Sequence, residues 1–146
     1  MAKQYTLGRN ERLKSRKRIE QLFSEGKSFS VFPFKVYFLI NKLNSDQESM
    51  RHHSRGTFNI QFGIGVSGKT FKKAVERNRI KRLAREAFRL QKKELQETLK
   101  KKYLQLNIFF IYTDEELPGF NITKEKVDVI LNNLIKTINE NISPGT

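Results

Sequence analysis

The stretch Lys72–Arg89, KKAVERNRIKRLAREAFR, constrains this chain more than any other. An α-helix advances about 100° per residue. With Ile80 set at zero, Leu83, Ala84, Ala87 and Phe88 fall within about 80° of it. That is one apolar stripe, suited to packing on a sheet. Asn78, Arg82, Arg85 and Arg89 fall on the opposite side, flanked by Arg79 and Lys81. Only Glu76 and Glu86 offset the charge of this segment. Like charges one helical turn apart repel, so the cationic stripe is either a solvated face or the seat of an external polyanion. Its single sign and its arginine content favour the polyanion, because a guanidinium presents a planar fork of donors that matches phosphate oxygens.

The rest of the charge is distributed to match. The 146 residues carry a formal net charge of +14. Residues 1–18 hold seven Lys/Arg against one Glu, and residues 69–102 hold fourteen against four. Residues 103–146 hold three basic against six acidic side chains. Two blocks therefore carry the positive charge, which favours a defined binding face over general stickiness. Hydrophobic residues make up 37% and charged residues 30%, a balance that fits one globular domain spanning 1–146. Cysteine is absent, which excludes a disulfide frame and thiolate metal sites. No apolar run approaches the roughly 20 residues of a membrane span, and the N-terminus lacks an apolar signal core. A soluble cytoplasmic protein without a membrane partner is the expectation.

Along the chain, residues 1–14 read as an irregular basic arm. Ser15–Glu25 reads as a short helix capped by Ser15 and stopped by Gly26. Phe29–Asn41 reads as strand, with a bulge or edge at Pro33. Phe34, Val36, Phe38 and Ile40 share one side; Lys35, Tyr37 and Leu39 share the other. Lys42–Gly56 reads as a mobile loop. Its His52–His53 pair has no supporting ligand cluster and reads as surface. Thr57–Ser67 is a second alternating strand, with Phe58, Ile60, Phe62, Ile64 and Val66 on one face. Gly65 fits no phosphate-loop pattern. After Leu90 the chain stays helical, with Leu95 and Leu99 four apart, until Lys100–Lys102. Leu104–Tyr112 is the most strand-like run. Thr123–Asn141 is an amphipathic helix, and residues 143–146 read as a frayed tail.

One sheet face is thus apolar and requires helices over it. The other carries Lys35, Tyr37, Asn59, Gln61, Gly63, Gly65, Ser67, Gln105, Asn107 and Phe109. Small residues leave a groove there, and aromatic rings and amides suit an unpaired RNA strand. The competing reading is a solvated face partly covered by the first helix. No nucleophile–base pair, carboxylate pair or metal-ligand spacing equips the chain to cut RNA alone.

The run Val66–Arg89, VSGKTFKKAVERNRIKRLAREAFR, resembles the signature of the bacterial ribonuclease P protein component. The hallmark is an R-N-R core followed by I/V-K-R-x-x-R-E/Q-x-F. It stands here as Arg77-Asn78-Arg79, Ile80-Lys81-Arg82, Arg85-Glu86 and Phe88. Arg12-Leu13, Phe23, Gly26 and Phe34–Tyr37 extend the resemblance upstream, while residues 91–146 match in element order alone. Gly68-Lys69 departs from the two lysines usual at that point, and the loop 42–56 is long for the family.

The resemblance implies an α/β (α+β) two-layer sandwich, in the order α-β-β(-β)-α-β-α, with a left-handed βαβ crossover. It implies assembly with a large catalytic RNA that removes the 5′ leader from precursor tRNA, with catalysis by the RNA and by Mg²⁺ that the RNA holds. It assigns no catalytic residue to this chain. Catalytic-RNA contacts fall to Arg77, Arg79, Lys81, Arg82 and Arg85, with Lys69, Lys72, Lys73 and Arg89 completing the basic set. Asn78 orders the motif or bonds the RNA. Leader contacts fall to Phe23, Lys35 and Tyr37, with Gln61 and Ser67 beside them in the groove. Arg12, Lys14 and Arg16 form the basic arm. A ribosomal or other structural RNA-binding protein is the alternative that the same charges allow.

Overall fold

The computed structural model describes residues 12–42 and 60–141. Helix α1 (Arg16–Glu25) leads into strands β1 (Lys27–Val31), β2 (Phe34–Lys42) and β3 (Ile60–Val66). Helices α2 (Ala74–Gln91) and α3 (Lys93–Lys101) follow, then strand β4 (Leu104–Tyr112) and helix α4 (Phe120–Asn141). The four strands form one sheet in the order β1-β2-β4-β3. β1 pairs antiparallel with β2, and β2 with β4, whereas β3 runs parallel to β4. A parallel pair needs a crossover connection, and α2 and α3 supply it.

The alternation read from the sequence sets the layers. Phe34, Val36, Phe38, Ile60, Phe62, Ile64, Leu106, Ile108 and Phe110 are buried on one side of the sheet. Ile80, Ala84, Ala87 and Phe88 from α2 and Val127, Ile130, Leu131, Leu134 and Ile138 from α4 close over them. Leu83 of the α2 stripe is half-buried. Each large side chain so buried contributes about 1.5–3 kcal/mol, so this layer fixes where the outer face of α2 points.

Three local expectations change. Phe29–Asn41 is not one strand but a hairpin, β1 and β2 joined through Phe32 and Pro33. Proline cannot donate to the ladder, so the chain turns there. Gly26 ends α1 as expected, in extended backbone (φ −79°). Glycine is needed for space: a Cβ there would meet the carbonyl oxygens of Leu22 at 2.5 Å and Phe38 at 2.7 Å. The helix after Leu90 does not continue from α2. It breaks at the buried Lys92, and α3 folds against α4 and β4. On a straight α2, Leu95 and Leu99 would lie about 6 and 12 Å beyond Gln91 along its axis; as placed in α3, both are in the core. Finally, α4 begins at Phe120, three residues before the expected start.

The basic arm is not wholly irregular. Arg12 forms a parallel bridge to Phe62, the Leu13 N–H donates to the Phe62 carbonyl at 2.8 Å, and Leu13 is buried. The expectations for residues 1–11, 43–59 and 142–146, including His52, His53, Phe58 and Asn59, lie outside the described residues. Lys42, placed in the loop by sequence, ends β2. Among the described residues, no helix is long and apolar enough to cross a membrane.

Candidate nucleic-acid interface

Burial of the Ile80–Phe88 stripe turns the opposite side of α2 outward. Lys72, Lys73, Asn78, Arg79 and Arg82 are exposed; Lys81, Arg85 and Arg89 are half-buried. Lys69 is exposed in the turn before the helix. Arg12 reaches the same face from the neighbouring edge of the sheet. Together Arg12, Val75, Asn78, Arg82, Arg85, Glu86 and Arg89 line an open groove of about 610 Å³. Arg85 is the inner guanidinium of this set. Burial, and then the charge of Arg12, push its pKa below the usual arginine value. An exposed Arg12 beside a half-buried Arg85 makes this groove favourable to an anion.

Two members of the basic set are already occupied. Arg77 turns back, and its NH1 donates to the carbonyls of Phe71 at 2.7 Å and Lys72 at 2.9 Å. It therefore ties the approach to α2, and Phe71, which does not fit the apolar stripe of the helix, is buried beneath that turn beside Tyr112. Val75, by contrast, is 77% exposed at the rim of the groove. Arg89 pairs with Glu86, donating through Nε at 3.2 Å and through NH2. That hydrogen bond lowers the Glu86 pKa and raises that of Arg89. Glu86 is the one carboxylate among the described residues lining the groove; the sequence shows it only as a charge offset.

The other side of the sheet holds the second cluster. Register places Tyr37 beside Phe109 and Phe109 beside Gly63, in one row across the sheet. α1 crosses this row and sets Phe23 edge-on to Tyr37, at 4.8 Å between centroids, and to Phe109 at 5.5 Å. The Lys35 ammonium stands 5.3 Å from the centre of the Tyr37 ring. Phe23 remains 43% exposed. The structure thus brings Phe23, Lys35 and Tyr37 together.

The open groove expected over the glycines is not there. A Cβ on Gly63 would meet Phe109 Cδ1 at 2.6 Å, and one on Gly65 would meet Phe109 Cε2 at 3.1 Å. The Phe109 ring fills that space, so Phe109 is floor instead of a free stacking surface. Gln61 accepts from Arg18 NH1 at 2.7 Å, and the Ser67 hydroxyl accepts from the Lys69 N–H at 3.2 Å in the turn toward α2. Gln61, paired with Asn107, therefore lies one row from Phe109 on the same face, whereas Ser67 lies past the end of β3, away from the aromatic cluster. Arg18 is a member of this site that the sequence reading misses. Its signal is its place four residues before the buried Leu22, on the sheet-facing side of α1. Lys14 and Arg16 are exposed at the start of that helix.

Fold and site define a small basic α/β scaffold with a cationic helix over one sheet face and an aromatic cleft on the other. The Ribonuclease P family model matches residues 7–135. The ribonuclease P protein component of Porphyromonas gingivalis is 36% identical over 116 residues, covering 80% of this chain and 77% of that one. That of Chlorobium phaeobacteroides is 28% identical, covering 88% of each. The solved ribonuclease P protein of Thermotoga maritima superposes with a TM-score of 0.60 at 27% identity, covering 84% of this chain and 96% of that one. The Staphylococcus aureus ribonuclease P protein shares the fold, with a TM-score of 0.57 at 22% identity and coverage of 85% and 94%. The chain belongs to the family of ribonuclease P protein components.

Proposed function

We propose that this protein binds the catalytic RNA of ribonuclease P through the outer face of α2 and holds the single-stranded 5′ leader of precursor tRNA in the cleft under α1. The convergence of Arg12, Arg82 and Arg85 around one groove carries the first half of this reading. Guanidinium groups there neutralise phosphates where RNA segments crowd, releasing condensed counterions and lowering their mutual repulsion. The Phe23–Tyr37 pair carries the second half, because exposed aromatic edges beside Lys35 accept unpaired bases without regard to sequence.

The chemistry of bond cleavage belongs to the RNA in this reading. Mg²⁺ supplies charge neutralisation in such reactions, but the groove is lined by cationic donors and one carboxylate, a set that does not fit a divalent cation. This chain's own contribution is to bind and to orient.

The test combines the protein with precursor tRNA in the presence and absence of the catalytic RNA, at low Mg²⁺. Faster leader removal with both components supports the proposal. Cleavage by the protein alone would make it a nuclease in its own right. Binding without any effect on processing would make it a structural RNA-binding protein.

A further inference from the structure

The cationic groove on α2 holds two members that phosphate contact does not account for. Val75, Asn78, Arg82 and Arg85 all line it. At about 100° per residue these four fall within about 80° of one another around the helix. Along the axis the order is aliphatic, amide, guanidinium, guanidinium. Asn78 lies about 4.5 Å beyond Val75, and Arg82 about 6 Å beyond Asn78. Arg12 joins the row at its far end, where its charge lowers the pKa of Arg85.

Val75 is 77% exposed, the most exposed large hydrophobic side chain among the described residues. A lone apolar side chain on a surface is ordinary, but this one stands at the mouth of a charged groove, next to an amide. Asn78 is exposed, and among the described residues its amide has no hydrogen-bond partner. Tracking a duplex backbone takes cations along a ridge and asks nothing of a valine or an amide. The groove, at about 610 Å³, lies within the roughly 300–1,000 Å³ of sites that take a small ligand. A paired A-form helix keeps its bases stacked inside, so a base reaches such a site only when it is unpaired.

We propose that the Val75 end of this groove receives one unpaired base of the catalytic RNA, while Arg82, Arg85 and Arg12 hold the phosphates beside it. The inference rests on the catalytic-RNA reading of α2 and adds the local RNA structure that this face recognises: a bulged or single-stranded position, not an unbroken duplex. The Val75 methyl groups lie against the face of the base. The Asn78 amide, with an acceptor and donors side by side, pairs with its edge.

The test uses the full chain and its catalytic RNA. The chain contains no cysteine, so Val75→Cys carrying a photo-crosslinker on its thiol reports from a single place. The expected cross-link falls on one unpaired nucleotide; cross-links confined to paired stems overturn the proposal. Asn78→Ala and Val75→Ala keep the fold, because alanine suits an exposed helical position. Asn78→Ala weakens RNA binding by about five- to hundredfold, and Val75→Ala by a smaller factor. Neither changes the salt slope, since no phosphate contact is lost. An abasic residue at the cross-linked nucleotide reproduces the Asn78→Ala loss, and the two losses do not add. Full affinity in both variants, additive losses, or a slope that falls as it does for Arg82→Ala overturn the base site alone. Unchanged affinity and slope after replacing both Arg82 and Arg85 with Ala overturn the catalytic-RNA reading beneath it.

Discussion

The rings of Phe62 on β3 and Phe88 on α2 lie face to face, 4.3 Å between centroids and 7° from parallel. Both are fully or nearly fully buried. This stack joins the central helix to the sheet at the strand that also anchors the arm through Leu13. Position of the basic groove therefore depends on it. Phe88→Ala should destabilise the protein by about 3–5 kcal/mol, the usual range for a buried phenylalanine, read as a lower denaturant midpoint. A cost under about 1 kcal/mol would mean the stack is not a structural joint.

The arginines of α2 should not all behave alike. Arg82 and Arg85 face the groove; Arg77 faces backbone carbonyls. Replacing Arg82 and Arg85 with Ala should weaken binding to the catalytic RNA and reduce the salt slope by about 0.7–0.9 for each phosphate left without its guanidinium. Arg77→Ala should cost about 1–2 kcal/mol of stability, because charged hydrogen bonds to carbonyls disappear at a half-exposed site. Its effect on the salt slope should be smaller than that of either groove arginine. The measurement is affinity across a salt series alongside denaturant unfolding of each variant.

That contrast marks where the sequence was legible. Periodicity separates the two faces of α2, and alternation separates the two faces of the sheet, because burial imposes a fixed period on each element. The resemblance added the leader cluster of Phe23, Lys35 and Tyr37. Neither source tells Arg77 from Arg79, since which guanidinium turns inward depends on the position of the Phe71 and Lys72 carbonyls. The filling of the Gly63 and Gly65 space by Phe109 was equally hidden, because glycines read alone as a gap and only pairing shows what occupies it. The arrival of Arg12 beside Arg85 required the bridge to Phe62, a pairing between distant residues that local pattern does not encode.

Gly63→Ala should test the packed floor of the cleft. The added methyl would meet the Phe109 ring at 2.6 Å and the Leu13 carbonyl at 3.1 Å. Ring and backbone must both shift, at a cost of about 1–3 kcal/mol, and the displaced ring should disturb Phe23. Weaker leader binding should accompany the drop in stability. Gly68→Ala is the control: nothing lies within 4 Å of its Cβ position, so stability should change by no more than about 0.5 kcal/mol. If the two substitutions proved equal in thermal melts, Phe109 would not be wedged as described.

Stability should also fall in strong alkali through Tyr112. Burial, and then the Asp114 and Glu116 carboxylates, push its phenol up to about 12. Its hydroxyl donates to the Glu116 carbonyl at 2.6 Å. An unfolded tyrosine ionises near pH 10, so the folded state holds the proton more tightly. The contribution is whole below about pH 10 and is lost as pH rises toward about 12. Its size should be on the order of 1–2 kcal/mol. Wild type and Tyr112→Phe compared by denaturant unfolding at pH 8 and pH 11 give the answer: the difference between them should shrink at the higher pH.

Glu86 should act against binding while supporting the helix. It sits one turn from Arg82 and pairs with Arg89, so its carboxylate offsets part of the like-charge repulsion along the stripe. In the groove the same carboxylate occupies donors that phosphate would otherwise take, and it opposes the approach of any polyanion. Glu86→Gln keeps the size and the hydrogen-bonding capacity of the side chain and removes the charge. Affinity for the catalytic RNA should rise, and the salt slope should steepen by up to about 0.7–0.9, the value of one more neutralised phosphate. Melting temperature in the absence of RNA should fall slightly, because the guanidinium groups of Arg12, Arg82, Arg85 and Arg89 then share a groove without a counterion. A variant that bound more weakly with an unchanged melting temperature would show instead that the Glu86 carboxylate holds Arg89 in the orientation the RNA requires.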